Sequence, residues 1–414
     1  MIFEDMTKAE TKAAFLDKRR SAVNCDIDEV RRMADYILTD RFDADIRRLI
    51  DGDYYFDPPT QIRLRKGQSN RKRVVYKFSE ENKNILQYLA YMLLERYDDR
   101  FPDELYSFRK DRPIGDLFSA IRRCDPNREK YVVKADIHSF GESIDTDLLG
   151  ERLKTWFSDE PEVRLFIMWL VKRNVFVRDG RMETGFTSVM PGNPIVAFLQ
   201  NVFLLDVDRC IAANARVSCR YTDDICAICD ARESAEETMR QLREIVSTQK
   251  LTMNGEKTGI IPPGESYDLF GLKFAPGFID ISDNTYLKVS SRIKHRADNI
   301  CRKIERGDMS REIGLQRMAA FIERYYYGPG KEGYVSWTDR FFPLITTVDR
   351  LKRLDWLSQE CLRYVATGRH TNAKYRFRYA DIRALGYVPT VRAYYEWHEK
   401  RIPKDCKEIR NVIQ

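Results

Sequence analysis

The stretch CRYTDDICAICD, residues 219–230, constrains this chain more than any other segment. Apolar and small residues flank it, so it reads as two buried strands joined by a turn at 222–224. At the tip stand Asp223 and Asp224, side by side. Adjacent carboxylates repel and add nothing to the stability of a hairpin. Aspartate also favours turns, because its side chain hydrogen-bonds nearby backbone; alone, YTDD reads more readily as an ordinary turn. A third aspartate changes the balance. Asp136 ends the β-branched run VVKADI. If that strand pairs with RYTDDICAI, Asp136 and Asp223 project from one sheet edge. Carboxylates gathered that closely need a divalent cation. Two metals about 3.5–4 Å apart hold an attacking oxygen and a leaving phosphate oxygen in line. Mg2+ suits such a site, because it takes one or two carboxylates and leaves its other positions to phosphate and water.

The rest of the chain is ordinary in composition and uneven in charge. Its 414 residues and 43% hydrophobic content allow one large or two to three smaller domains with real cores. No apolar run reaches the ~18 residues a membrane span needs, and the first twenty residues lack a signal-peptide core. Nine cysteines without regular spacing suit free thiols in a reducing, cytoplasmic setting. Residues 286–414 carry 27 basic against 15 acidic side chains, a net +12; the chain's total of +7 leaves −5 for the remainder. That asymmetry reads either as a polyanion-binding region beside a metal-binding body or as solvated surface.

Periodicity predicts two helices in 6–50 and a basic hairpin over 61–78 turning at 67–70. An amphipathic helix with Ser79 as cap follows. Helix is predicted over 147–173, a hairpin at NVFVRDGRMET, and one long buried helix in PIVAFLQNVFLLDVDRCIAANA. Helix is also predicted over 231–250 and most of 288–366, with strand-like sequence in SYDLFGLKFAPGFIDI. The pattern is α+β in the middle and mainly helical at the end.

With these segments in order, the chain resembles a reverse transcriptase. KADIHSFGESID resembles the family's first catalytic segment, YTDD its Tyr-x-Asp-Asp box, and MPGNPIVAFLQNVFLLDVD the segment under nucleotide and template. LTMNGEKT and YDLFGLKF resemble the next segment and the primer grip. The resemblance implies a right-hand polymerase: N-terminal helices and fingers over 1–130, palm with interleaved fingers helices over 131–280, and an all-helical thumb with a basic RNA-binding tail over 281–414. It implies Asp136, Ile137 and Asp223 as metal ligands and Asp136, Asp223 and Asp224 as catalytic, with two Mg2+ ions that Mn2+ can replace. Lys66, Arg73, Phe140, Gly141, Gly192 and Lys257 would meet the dNTP, with Lys257 near the leaving pyrophosphate. Arginine suits bidentate phosphate contact and lysine acts as a point charge. Phe270 and Gly271 would form the primer grip.

Departures narrow the resemblance. Relatives carry an aromatic five residues after the first aspartate, which blocks a ribose 2′-hydroxyl. Here that position is Gly141, and the aromatic is Phe140; either Phe140 reaches around or sugar discrimination is weak. Pro191 stands where glutamine is usual, and Val196-Ala197 replace Ser-Pro. Retron signals and a separate maturase or nuclease module are not read. The SFGESID and GNPIVAFLQN forms resemble abortive-infection and defence-associated bacterial reverse transcriptases. Partners implied are a non-coding RNA template, dNTPs and a DNA product, with no membrane; a homo-oligomer stays open. Template-independent or protein-primed synthesis and a catalytically silent RNA-binding scaffold are the alternatives.

The remaining motifs have simpler readings. Cys226 and Cys229 lack a second pair and read as small buried hydrophobes. The four scattered histidines make no metal cluster, and His138 reads as packing or surface. Arg292, Lys294, Arg296, Arg302 and Lys303 lie on one predicted helix and suit a duplex backbone. Arg369, Lys374, Arg376 and Arg378 alternate with Tyr375, Phe377 and Tyr379, which suits RNA or a cationic strand with one buried aromatic face.

Overall fold

The computed structural model describes residues 1–21, 27–65, 72–110, 112, 114–124, 129–328 and 336–401. The chain divides into two compact units, Met1–Gly264 and Glu265–Gln414. The boundary assigns strands 267–281 to the second unit, where the sequence reading set them at the end of the palm.

In the first unit the described strands are β1 (Thr60–Arg65), β2 (Lys72–Lys77), β3 (Tyr131–Asp136), β4 (Phe176–Arg178), β5 (Arg181–Glu183), β6 (Val217–Tyr221), β7 (Asp224–Cys229) and β8 (Gly259–Ile261). They form two sheets, ordered β2-β1-β4-β5 and β6-β7-β3-β8. The second is antiparallel throughout. Its strands are rich in β-branched and small residues, which suit a pleated buried surface. Residues 225–229 of β7 are all buried, on both faces. The helices Leu205–Asn214 and Arg232–Thr248 pack against this sheet. The latter buries Ala235, Thr238, Met239, Leu242 and Val246, spaced by three and four residues. Cys219 lies opposite Cys226 in register, and with Cys229 both are buried free thiols. These cysteines are packing residues.

Several predicted helices are divided. Residues 27–50 form Ile27–Ile37 and Asp40–Ile50, because Thr39 turns out of the helix and accepts the Phe42 N–H as an N-cap. Residues 147–173 split into Thr146–Trp156 and Pro161–Lys172, the proline occupying the first turn. The predicted long helix is Val196–Phe203 followed by Leu205–Asn214, with Leu204 between. Ser79 occupies the cap position of Glu80–Tyr97, but its hydroxyl makes no cap hydrogen bond.

The second unit opens with a three-stranded antiparallel sheet, β9 (Tyr267–Leu269), β10 (Leu272–Ala275) and β11 (Phe278–Ile281). Phe270 and Gly271, both at positive φ, make its first two-residue turn. Beyond it the described elements are helices, the longest being Asp283–Glu305, Arg311–Tyr327 and Asp349–Thr367. Residues 373–384 form two short helices rather than a strand.

Candidate active site

The β3–β7 ladder runs in register from Tyr131–Cys229 to Asp136–Asp224. The β6–β7 hairpin closes at Tyr221–Asp224, leaving Thr222 and Asp223 as a two-residue turn. The three acidic residues therefore gather at one end of the sheet. Thr222 has φ +59°, unusual for a β-branched residue. Its hydroxyl lies within donor range of both the Tyr221 carbonyl, at 2.6 Å, and Asp223 Oδ1, at 2.7 Å.

Asp136 is 6% exposed and fully engaged. Its Oδ1 accepts from Lys257 Nζ at 2.8 Å and its Oδ2 from Asn254 Nδ2 at 3.1 Å. The Asp136 carbonyl also accepts the Asn254 N–H at 2.8 Å. The MNGEK turn thus brings a cation and an amide onto one carboxylate. Lys257, expected from the sequence beside the leaving pyrophosphate, here bonds Asp136; Asn254 is not expected from the sequence, where its one signal is an Asn-Gly pair in a turn.

Asp224 remains solvent-accessible at the start of β7. Even so, the protein around its carboxyl raises its pKa, and Asp223 and Asp136 add to the rise; Lys257 and Lys134 oppose it. Lys257 is held above the usual lysine range, first by its bond to Asp136 and then by the charges of Asp136, Asp224 and Asp223. This mutual repulsion, only partly relieved by the two lysines, marks a site with a surplus of negative charge.

Among the described residues no three His, Cys, Asp or Glu side chains close into a ready ligand cage. The donor set is nevertheless all oxygen and clustered. It fits an open site of the kind Mg2+ takes, completed by phosphate and water, and the Lys257 side chain that bonds Asp136 is 61% exposed. Ile137 is buried and bridged to Met253; its side chain is hydrocarbon, so only its main-chain carbonyl could serve as a ligand.

The other expected residues fall in different settings. Lys66 lies outside the described residues. Arg73 is exposed on β2, opposite Leu64. Phe140 is buried: its ring is 3% exposed and packs in the core 6.5 Å from Phe203. Gly141 is half-buried, and a Cβ there would stand 3.6 Å from Gln200 Nε2. Gly192 has φ +103°, and a Cβ would meet the Tyr76 carbonyl at 2.5 Å and Val75 Cγ1 at 2.7 Å. The Tyr76 N–H also donates to the Pro191 carbonyl at 2.7 Å, so the loop is pinned to β2. Gly192→Ala should therefore cost about 1–3 kcal/mol of stability by urea unfolding; an unchanged midpoint would contradict this packing.

In the second unit Arg292, Lys294, Arg296, Arg302 and Lys303 are all exposed. They do not share one face. At 100° per residue, Arg292, Arg296 and Lys303 form a stripe, while Lys294 and Arg302 lie elsewhere. Arg292 lies over Tyr325 and Arg296 over Phe321, each at 5.5 Å. Arg369, Lys374, Arg376 and Arg378 are exposed too, with Tyr375 at 69% and Tyr379 at 43%. His138 is exposed, consistent with a surface role.

An antiparallel sheet that presents clustered aspartates from a strand end and an adjoining turn is the palm of a right-hand polymerase. Residues 64–274, just over half of the chain, match the family model described as reverse transcriptase (RNA-dependent DNA polymerase), and the chain belongs to that family. No match is found among curated proteins. Among solved structures it is similar to apo telomerase from Candida tropicalis truncated from its C-terminal domain, at 11% identity and a TM-score of 0.43. The chain covers 55% of that structure's chain, and 55% of this chain is matched.

Proposed function

We propose that this chain is an RNA-directed DNA polymerase in which Asp136 and Asp223 hold divalent metal, with Asp224 beside them. The observation that carries the reading is the β3–β7 register, with Asp136 opposite Asp224 and Asp223 next in the turn. Mg2+, when bound, would neutralise charge on the entering triphosphate and activate the primer 3′-hydroxyl. The chain's own residues bind and orient. Lys257 leaves Asp136 for the departing pyrophosphate, and Arg73, with Lys66, meets phosphate oxygens. In the second unit the Arg292–Arg296–Lys303 stripe meets a duplex backbone. The exposed basic and aromatic residues 369–379 stack unpaired RNA bases.

Primer extension on an RNA template, with and without Mg2+, tests the reading. Labelled DNA that requires template and metal supports it. Synthesis without template supports the protein-primed or untemplated alternative, and RNA binding without synthesis supports a scaffold. The SFGESID and GNPIVAFLQN forms favour a role in antiphage defence, with a dedicated non-coding RNA as template. Sequencing the nucleic acid that copurifies from the native host tests that template: cDNA of a nearby non-coding RNA is expected, and random or homopolymer DNA attached to protein contradicts it in favour of untemplated synthesis of the abortive-infection type.

Buried Phe140 and the bare Gly141 support weak sugar selection. In a competition assay ribonucleotides should enter the product measurably. Discrimination as strict as in relatives with an aromatic at the position of Gly141 would discard this point.

A further inference from the structure

The Asp223 turn rests on a buried polar cluster. Arg220 and Asp208 are both 0% exposed. Arg220 Nε and Nη2 donate to the two Asp208 carboxylate oxygens at 2.7 Å each. Its Nη1 donates to the Thr222 carbonyl at 3.0 Å and to Asn201 Oδ1 at 3.3 Å. Asn201 Nδ2 donates to the Ser107 carbonyl at 2.9 Å. Ser107 Oγ accepts the Thr222 N–H at 2.9 Å. Both backbone polar groups of Thr222 are thus held by buried side chains, from Ser107 on one side and Arg220 on the other.

Stability alone does not account for this cluster. A buried ion pair loses desolvation energy that its attraction barely restores, and apolar replacements of both partners are often neutral or better. The cluster's visible effect is geometric. It grips a residue at φ +59° that is Asp223's neighbour in the two-residue turn, with its hydroxyl 2.7 Å from Asp223 Oδ1 and 2.6 Å from the Tyr221 carbonyl. We infer that Ser107, Asn201, Asp208 and Arg220 are positioning residues that aim the Asp223 carboxylate at the metal site. This rests on the reading of Asp223 as a metal ligand.

Ser107→Ala tests it by removing one uncharged oxygen. The variant should melt within about 5 °C of the parent chain. Backbone amide exchange in the 221–224 turn should quicken. The Mn2+ concentration for half-saturation in the presence of dNTP, read by electron paramagnetic resonance, should rise about tenfold, the scale of losing an outer partner of a metal ligand. In primer extension kcat should fall with KM for dNTP unchanged. The double variant Asp208→Leu/Arg220→Met, which leaves no unpaired charge, should show the same signature; if it fails to fold, Ser107→Ala decides alone.

Unchanged turn exchange and Mn2+ affinity in Ser107→Ala, beside a parent chain that binds Mn2+ and extends primers, would overturn the inference and leave the polymerase reading intact. Mn2+ affinity that falls only in proportion to folded protein would overturn it as well. Failure of the polymerase reading looks different: the parent chain and Asp223→Asn would then bind Mn2+ equally weakly and extend nothing, and the inference would fall with it.

Discussion

Asp223→Asn should abolish nucleotide addition while leaving the chain folded and, in chelator, more stable than the parent. The loss in primer extension should be about a thousandfold or more, as expected for removing a principal electrostatic stabiliser of the transition state. The gain in stability follows from the crowding at the strand end. The protein around the Asp224 carboxyl raises its pKa, and Asp223 and Asp136 raise it further. A carboxyl raised in this way stabilises the fold fully only below its unfolded pKa, and that contribution is lost as pH rises through the folded value. Removing the Asp223 charge relieves the penalty where it is largest. The variant should therefore melt higher near neutral pH, and the difference should vanish in acid, where Asp224 is protonated in both chains. Opposed effects of one substitution on stability and activity are expected where function maintains strain. Retained synthesis would remove Asp223 from the mechanism.

Arg220→Met should be the most destabilising of the substitutions considered. It leaves Asp208 buried without its partner, and breaking a buried pair from one side costs about 3–5 kcal/mol. Burial already holds the Asp208 carboxyl above the usual range, against the pull of Arg220. Without the guanidinium that rise is unopposed. The stability deficit should be greatest at neutral and higher pH, and it should shrink as pH falls through the raised value and the carboxyl takes a proton. Urea unfolding at pH 8 and pH 5 measures both the size and the sign. Asp208→Leu/Arg220→Met should recover most of the loss. A cost under about 1 kcal/mol at pH 8 would mean that Asp208 is not desolvated as its contacts imply.

The acidic end of the sheet was legible because its pattern is short-range. A β-branched run ending in Asp136, and apolar residues flanking Asp223–Asp224, specify strands and a turn without reference to distant chain. The β4–β5 hairpin was legible for the same reason: Asp179 and Gly180 take the positive φ that its two-residue turn requires. Helix breaks were less legible. Apolar spacing runs unbroken through Leu204, so periodicity gives one helix where backbone geometry gives two. Thr39 did carry a cap signal, but the apolar repeat on either side concealed it.

The cluster behind the turn was hidden for a different reason. Asp208 and Arg220 are twelve residues apart on a helix and a strand, and Ser107 lies about a hundred residues upstream in an irregular segment. No local rule joins them. The available signal was a charge within a buried pattern: Asp208 in LLDVD and Arg220 between Cys219 and Tyr221. Charges at interior positions are rarely left without a partner. The place of Phe140 was ambiguous in sequence because Phe140 and Gly141 are neighbours; the structure buries its ring against Phe203.

The central claim is that Asp136 and Asp223 share divalent metal. Anomalous diffraction from crystals grown with Mn2+ and a non-hydrolysable dNTP tests it most directly. Two manganese peaks about 4 Å apart, touching both carboxylates with Lys257 drawn off Asp136, are the predicted result. Manganese bound elsewhere, or a Lys257–Asp136 bridge that persists with nucleotide bound and no metal beside it, would contradict the account.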